Sequence, residues 1–133
     1  MKKPISIVLL ALLIWMFPRS GNEKLSAAPS IKYTRIGKAS WYSRKSPGIN
    51  KRTASNELFN DQDLTCAMWG ISFNRLLKVT NLDNGKSIIV RVNDRGPHQR
   101  FVRQGRIVDL TEAAFRRLGT TNDGLINVEI EFL

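Results

Sequence analysis

Residues 76–97 read LLKVTNLDNGKSIIVRVNDRGP, and this stretch decides the fold class. Leu76 to Asn81 and Lys86 to Asn93 are apolar-rich runs with β-branched residues, and Asp83-Asn84-Gly85 between them supplies the Asn-Gly pair that favours a tight hairpin turn. The two runs are expected to pair antiparallel. In the second run the two-residue period of a strand puts Ile88, Val90, Val92 and Asp94 on one face and Ile89, Arg91 and Asn93 on the other. Asp94 thus follows three apolar side chains onto the inner face at a strand end, a place for a carboxyl that gives and takes a proton. Arg95-Gly96-Pro97 then turns the chain and leaves that end open to a cleft. The same Asp before Gly and Pro also suits a turn cap bonded to its own backbone.

Outward from the hairpin the punctuation stays that of short strands. Lys38 to Tyr42 is a strand opened by Gly37 after a polar lead from Ser30 to Ile36, and Ser43 to Arg52 is a loop rich in Ser, Lys, Arg, Pro and Gly. Leu125 to Phe132 sets Ile126, Val128, Ile130 and Phe132 against Asn127, Glu129 and Glu131, the pattern of a half-buried strand. Thr111 to Leu118 is the one clear helix, with Thr111 as N-cap, Gly119 as terminator and Ala113, Ala114 and Leu118 for its inner face. Many short strands with so little helix favour a mainly β fold closed into a small barrel over a doubly wound parallel sheet.

Composition bounds the chemistry. With 133 residues, 42% hydrophobic and 24% charged, the chain suits one globular domain, which excludes large multidomain enzymes and repeat arrays. Twenty-one Lys and Arg against eleven Asp and Glu give +10 and a pI near 10.4, which suits either an anionic partner or polymer or a basic solvated surface with no specific partner. One Cys rules out a disulfide framework and one His argues against a His-rich metal site, so neither metal nor cofactor is expected. Cys66, in Leu64-Thr65-Cys66-Ala67-Met68, reads as a small core residue. Catalysis, if present, falls to carboxylates: Asp94, and Glu57 in the polar loop Thr53-Ala54-Ser55-Asn56-Glu57, where a solvated surface carboxylate is the ordinary reading.

The N-terminal stretch stands apart. Lys2 and Lys3 precede an apolar run of 13 residues from Ile5 to Phe17, too short for a bilayer-spanning helix of about 20 residues and right for a secretory signal. Leu25-Ser26-Ala27-Ala28 offers small residues for cleavage, so residues 1–28 are expected to be a signal peptide, 29–36 a short lead and 37–133 the domain. No Cys follows the run, so no lipid is expected and no stable membrane anchor after cleavage. Residues 1–28 hold four cations and one acid, and the rest of the chain keeps a net +7. For an exported protein the matching anions are envelope polymers, and nucleic acid is not an expected partner.

Six segments in order carry a resemblance. They are Gly37-Lys38-Ala39-Ser40-Trp41-Tyr42, Thr53-Ala54-Ser55-Asn56-Glu57, Leu64-Thr65-Cys66-Ala67-Met68, Lys78-Val79-Thr80-Asn81-Leu82, Val90-Arg91-Val92-Asn93-Asp94-Arg95-Gly96-Pro97 and Arg106-Ile107-Val108-Asp109-Leu110-Thr111. Together they resemble the successive motifs of the rare lipoprotein A family, over residues 37–133. The resemblance implies a six-stranded double-psi β-barrel with one or two short helices, shared with expansins. It also implies an endolytic lytic transglycosylase that cuts peptidoglycan glycan strands between N-acetylmuramic acid and N-acetylglucosamine, leaving a 1,6-anhydromuramoyl end, in the periplasm or cell envelope. The family's acid/base aspartate falls on Asp94 and its motif glutamate on Glu57, which would stabilise the oxocarbenium-like charge or orient the sugar. Trp41 and Tyr42 are expected to stack on sugar faces, with packing inside the small barrel as the alternative, and Asn93, Arg95 and His98 are expected beside them as substrate contacts. Where the family usually carries His, this chain has Met68, which can neither donate a proton nor hold a carboxylate. That departure opens an alternative, a non-catalytic, expansin-like barrel that binds or loosens the wall. His98 is the candidate substitute imidazole near Asp94, and Asn56, Ser72 and Asn74 replace family glycines and prolines in loops near the cleft.

Overall fold

Leu76–Asn81 (β3) and Ser87–Asp94 (β4) pair antiparallel in the computed structural model, which describes residues 30–133. The expected signal peptide at residues 1–28 lies outside the described residues. Asn81 N–H donates to the Lys86 carbonyl and Gly85 takes φ +74°, so the connection is a short loop of Leu82 to Gly85 with glycine at its left-handed position. β1 (Thr34–Tyr42), β2 (Thr65–Ala67), β5 (Arg106–Thr111) and β6 (Ile126–Phe132) join the hairpin in a closed barrel of order β1-β5-β2-β4-β3-β6. The pairs β1/β5 and β2/β4 are parallel and the other four antiparallel, a mainly β double-psi barrel. Closure leaves each strand hydrogen-bonded on both sides. β1 begins four residues before the expected Lys38, because Thr34 to Gly37 find partners in Glu131 to Val128 of β6.

Two short helices sit between strands, α1 (Gln99–Val102) and α2 (Glu112–Leu118). Thr111 caps α2 by accepting from Ala114 N–H, and the buried face is Ala114, Phe115 and Leu118. Phe115 takes the place expected for Ala113, which is only half-buried, since one more residue of rotation brings the ring over the barrel. Gly119 follows with extended backbone, and its missing side chain matters for space: a Cβ there would lie 2.9 Å from Asp123 Oδ2. Buried Asn81 donates to the Leu118 carbonyl at 2.9 Å and ties the hairpin to the end of α2.

The interior is apolar and continuous. Ala39, Cys66, Met68, Leu77, Val79, Val90, Val92, Val108, Leu110, Val128 and Ile130 fill it from all six strands. Two strands carry an extra residue. Lys38 and Ala39 face Arg106 and Val108, so Ile107 of β5 is a bulge, and Gly37 makes room for it because a Cβ would lie 2.7 Å from Ile107 Cγ2. Cys66 and Ala67 face Val92 and Asp94, so Asn93 of β4 is the second bulge. Leu110, wholly buried on a strand between β1 and β2, is a direct test of this core: Leu110→Ala should lower unfolding free energy by about 2–5 kcal/mol in urea titrations with little change in slope.

Candidate functional site

The bulge at Asn93 decides where Asp94 goes. An unbroken two-residue period would send Asp94 into the core behind Val90 and Val92; the extra residue turns it out instead, opposite Ala67. The expected inner-face position of Asp94 is thereby corrected. Ser40 pairs with Asp109 across β1/β5, Asp109 with Ala67 across β5/β2, and Ala67 with Asp94 across β2/β4. Two carboxyls thus share one row on the outer surface, separated by a methyl group. A cleft of about 330 Å³ opens over them, lined also by Tyr42, Arg52, Thr53, Ala54, Phe59 and Arg95. A second hollow of about 430 Å³, between Arg44, Lys51 and Leu58, shares Ile49, Asn50 and Phe59 with it.

Each carboxyl is held differently. Asp94 Oδ1 accepts from the backbone N–H of Ala54 at 2.9 Å and of Arg95 at 2.8 Å, so Asp94 is the turn cap as well as a cleft residue. Asp109 Oδ1 accepts a short hydrogen bond from Ser40 Oγ. Burial raises the Asp109 carboxyl above the usual aspartate range, against the lowering effects of Ser40 and Arg106, and the charge of Asp94 adds to the rise. Gly96 packs closely beside them: a Cβ there would lie 3.2 Å from both Ala67 Cβ and Asp109 Oδ2, so those neighbours would have to give by a few tenths of an ångström. Asp109 was within a quoted motif but carried no role in the sequence reading. Its signal was the alternation of Val108, Asp109 and Leu110, which sets one carboxyl between two core residues.

Glu57 does not line the cleft. Its carboxylate receives Arg91 in two parallel bonds, 2.6 Å and 3.0 Å, and Asn93 Nδ2 at 3.0 Å. Arg91 holds it well below the usual glutamate range, at about 2, with Asn93 helping. This brace closes the turn Thr53 to Glu57, in which Thr53 N–H donates to the Glu57 carbonyl and Ala54 N–H reaches Asp94. Glu57 therefore acts on Asp94 through the loop, and Asn93, expected on the substrate, is buried and spent on Glu57. Asn56 and Asn74 both take φ 69°, where asparagine is the side-chain-bearing residue that best replaces glycine, so these replacements keep the turns.

The other expected contacts separate. Arg95 lines the cleft, its Nη1 donating to the Met68 carbonyl at 2.9 Å and its guanidinium 3.9 Å from the Phe73 ring centroid. Trp41 points away from the cleft, packing against the Phe115 ring, with Nε1 donating to the Thr121 carbonyl at 3.2 Å. His98 is exposed and caps α1, accepting from Arg100 N–H through Nδ1, and is not among the cleft residues. Met68 is wholly buried in the core. Burial likewise pushes the Cys66 thiol up to about 12, as suits an inert core residue. Among the described residues no group of three or more His, Cys, Asp or Glu could hold a metal ion.

Comparison with known proteins adds three findings. The family described as lytic transglycolase matches residues 34–130. The endolytic peptidoglycan transglycosylase RlpA of Vibrio cholerae is 43% identical over 101 residues, 76% of this chain and 36% of that protein. Its counterpart in Pseudomonas aeruginosa is 41% identical over 99 residues, 74% of this chain and 27% of that protein. The chain thus spans about a third of the length of the relatives it matches. Among solved structures, a Streptomyces papain inhibitor superposes with a TM-score of 0.58 at 21% identity, covering 76% of this chain and 94% of its own. An expansin of Clavibacter michiganensis in complex with cellohexaose reaches 0.56 at 23% identity, covering 76% of this chain and 50% of its own. These two show the fold.

Two outcomes follow from the geometry. Because the Glu57 carboxyl is lowered on folding, its ion pair contributes stability that is whole above about pH 4.5 and is lost as pH falls toward about 2. Glu57→Gln should flatten the melting temperature across that window while leaving its slope near pH 7 unchanged. Met68→His would bury an imidazole among apolar side chains, so it should destabilise by about 1–3 kcal/mol at pH 7. The loss should deepen below about pH 6.5, where the unfolded chain takes up the proton, as a pH series of urea titrations would show.

Proposed function

The chain belongs to the lytic transglycolase family of double-psi β-barrels, and on that footing we propose that it cuts the β-1,4 bond between N-acetylmuramic acid and N-acetylglucosamine in peptidoglycan glycan strands. The observation that carries this reading is the pair Asp94 and Asp109 in one row beneath a single cleft. Asp109, whose carboxyl burial raises above the usual aspartate range, gives its proton to the glycosidic oxygen as the bond from C1 breaks. The Asp94 carboxylate faces the oxocarbenium-like charge at C1 and takes the proton from the muramoyl O6 hydroxyl as O6 bonds to C1. The products are a free 4-hydroxyl and a 1,6-anhydro ring. No water is consumed, and one proton has passed from Asp109 to Asp94, to be exchanged back through solvent before the next turnover.

The surroundings suit a polymer. The cleft and the adjoining hollow share a wall, so a strand of more than one sugar can lie along both, and Arg44, Arg52, Lys51 and Arg95 offer it positive charge. The same reading places the protein beyond the cytoplasmic membrane, in the envelope where this polymer lies, exported through the apolar run at residues 5–17 and carrying no lipid. Glu57 supports the reaction by holding Ala54 N–H on Asp94.

Digestion of purified peptidoglycan, read by mass spectrometry, tests the reading. The protein should release fragments with anhydromuramoyl ends, and Asp94→Asn and Asp109→Asn should each slow release by about 10²–10⁴-fold while binding survives. Fragments with ordinary reducing ends, or variants as fast as the parent, would overturn it. A protein that binds sacculi and releases nothing is instead a wall-binding barrel.

A further inference from the structure

Tyr42 closes β1 with its hydroxyl unsatisfied. Three buried side-chain oxygens among the described residues have no hydrogen-bond partner, those of Tyr42, Thr65 and Asn93, and of these residues Tyr42 alone lines the cleft. The residue is 8% exposed, and its ring lies against Phe59 with centroids 4.8 Å apart and planes 14° from parallel. That contact covers one face of the ring and holds it in place. The residue lines the same cleft as Asp94 and Asp109. Burial first, then the charge of Asp94, push the phenol above its ordinary range, so it stays a donor at any working pH.

A buried donor with no partner costs the free protein stability, and stacking has already removed the freedom that ordering it would otherwise use up. Both features suit a group kept ready for a ligand. We infer that Tyr42 is a substrate-contacting residue whose phenol O–H donates a hydrogen bond to a sugar oxygen held beside Asp94 and Asp109. The identity of the sugar rests on the function proposed above; the donor role rests on the cleft itself.

Tyr42→Phe keeps the ring on Phe59 and deletes only the hydroxyl. Its melting temperature should equal or exceed that of the parent, and isothermal titration with a soluble tetrasaccharide of alternating N-acetylglucosamine and N-acetylmuramic acid should show affinity about tenfold weaker. A melting temperature several degrees lower would mean that the hydroxyl serves the fold, and would overturn the inference. Unchanged affinity, or a parent protein that does not bind the tetrasaccharide, would overturn it too. If the parent binds but releases no anhydromuramoyl ends, the proposed reaction fails while the titration still decides Tyr42. If the parent cuts and Tyr42→Phe binds and cuts equally well, the inference fails and the reaction stands.

Discussion

Asn93 has no counterpart on the neighbouring strand. Where β2 takes one step, from Cys66 to Ala67, β4 takes two, from Val92 to Asp94, and the side-chain alternation slips by one. Because the period of a strand is two, a slip of one exchanges inside for outside. Val92 stays in the core and Asp94 emerges on the surface opposite Ala67, within the row that already holds Asp109 and Ser40. Without that extra residue Asp94 would point into an apolar barrel interior. Gly96 continues the same constraint two residues on, since any larger side chain would press on Ala67 and on the Asp109 carboxyl.

The carboxylates divide the work according to their neighbours. Glu57, with Arg91 on both oxygens and Asn93 on one, is a fixed anion, and what it fixes is the turn that sends Ala54 N–H to Asp94. Asp109 accepts from the Ser40 hydroxyl, which works to lower its carboxyl, but burial outweighs this and raises it above the usual aspartate range. In the proposed reaction these neighbouring carboxyls take different roles, Asp109 giving the proton and Asp94 facing the developing charge. Met68 takes no part in this. Its side chain fills the core while its carbonyl holds Arg95 and its N–H donates to the Asp94 carbonyl, so position 68 reaches the cleft through the backbone.

Much of this architecture was legible in one dimension. The Asn-Gly hairpin, the Thr111 cap, the alternation of the last strand and the ordered motifs all depend on residues near one another in the chain, where propensity and period act directly. The early start of β1 was not legible, because Thr34 to Gly37 are ordered by β6, nearly a hundred residues away. Nor was the packing of Trp41 onto Phe115, which two distant elements decide together.

The sequence by itself determined a basic, mainly β chain whose chemistry must rest on carboxylates, and it determined that Asp94 and Glu57 sit in recognisable motifs. It also determined the Asn84-Gly85 turn of the hairpin. Only the tertiary structure decided that Asp109 rather than Glu57 shares the cleft with Asp94, that Tyr42 lines it while Trp41 and His98 do not, and that Met68 is a core residue. The physical reason is that a side chain's face is set by strand register, and register across the parallel pairs is set by bulges at Ile107 and Asn93 that leave no local mark in the residues themselves.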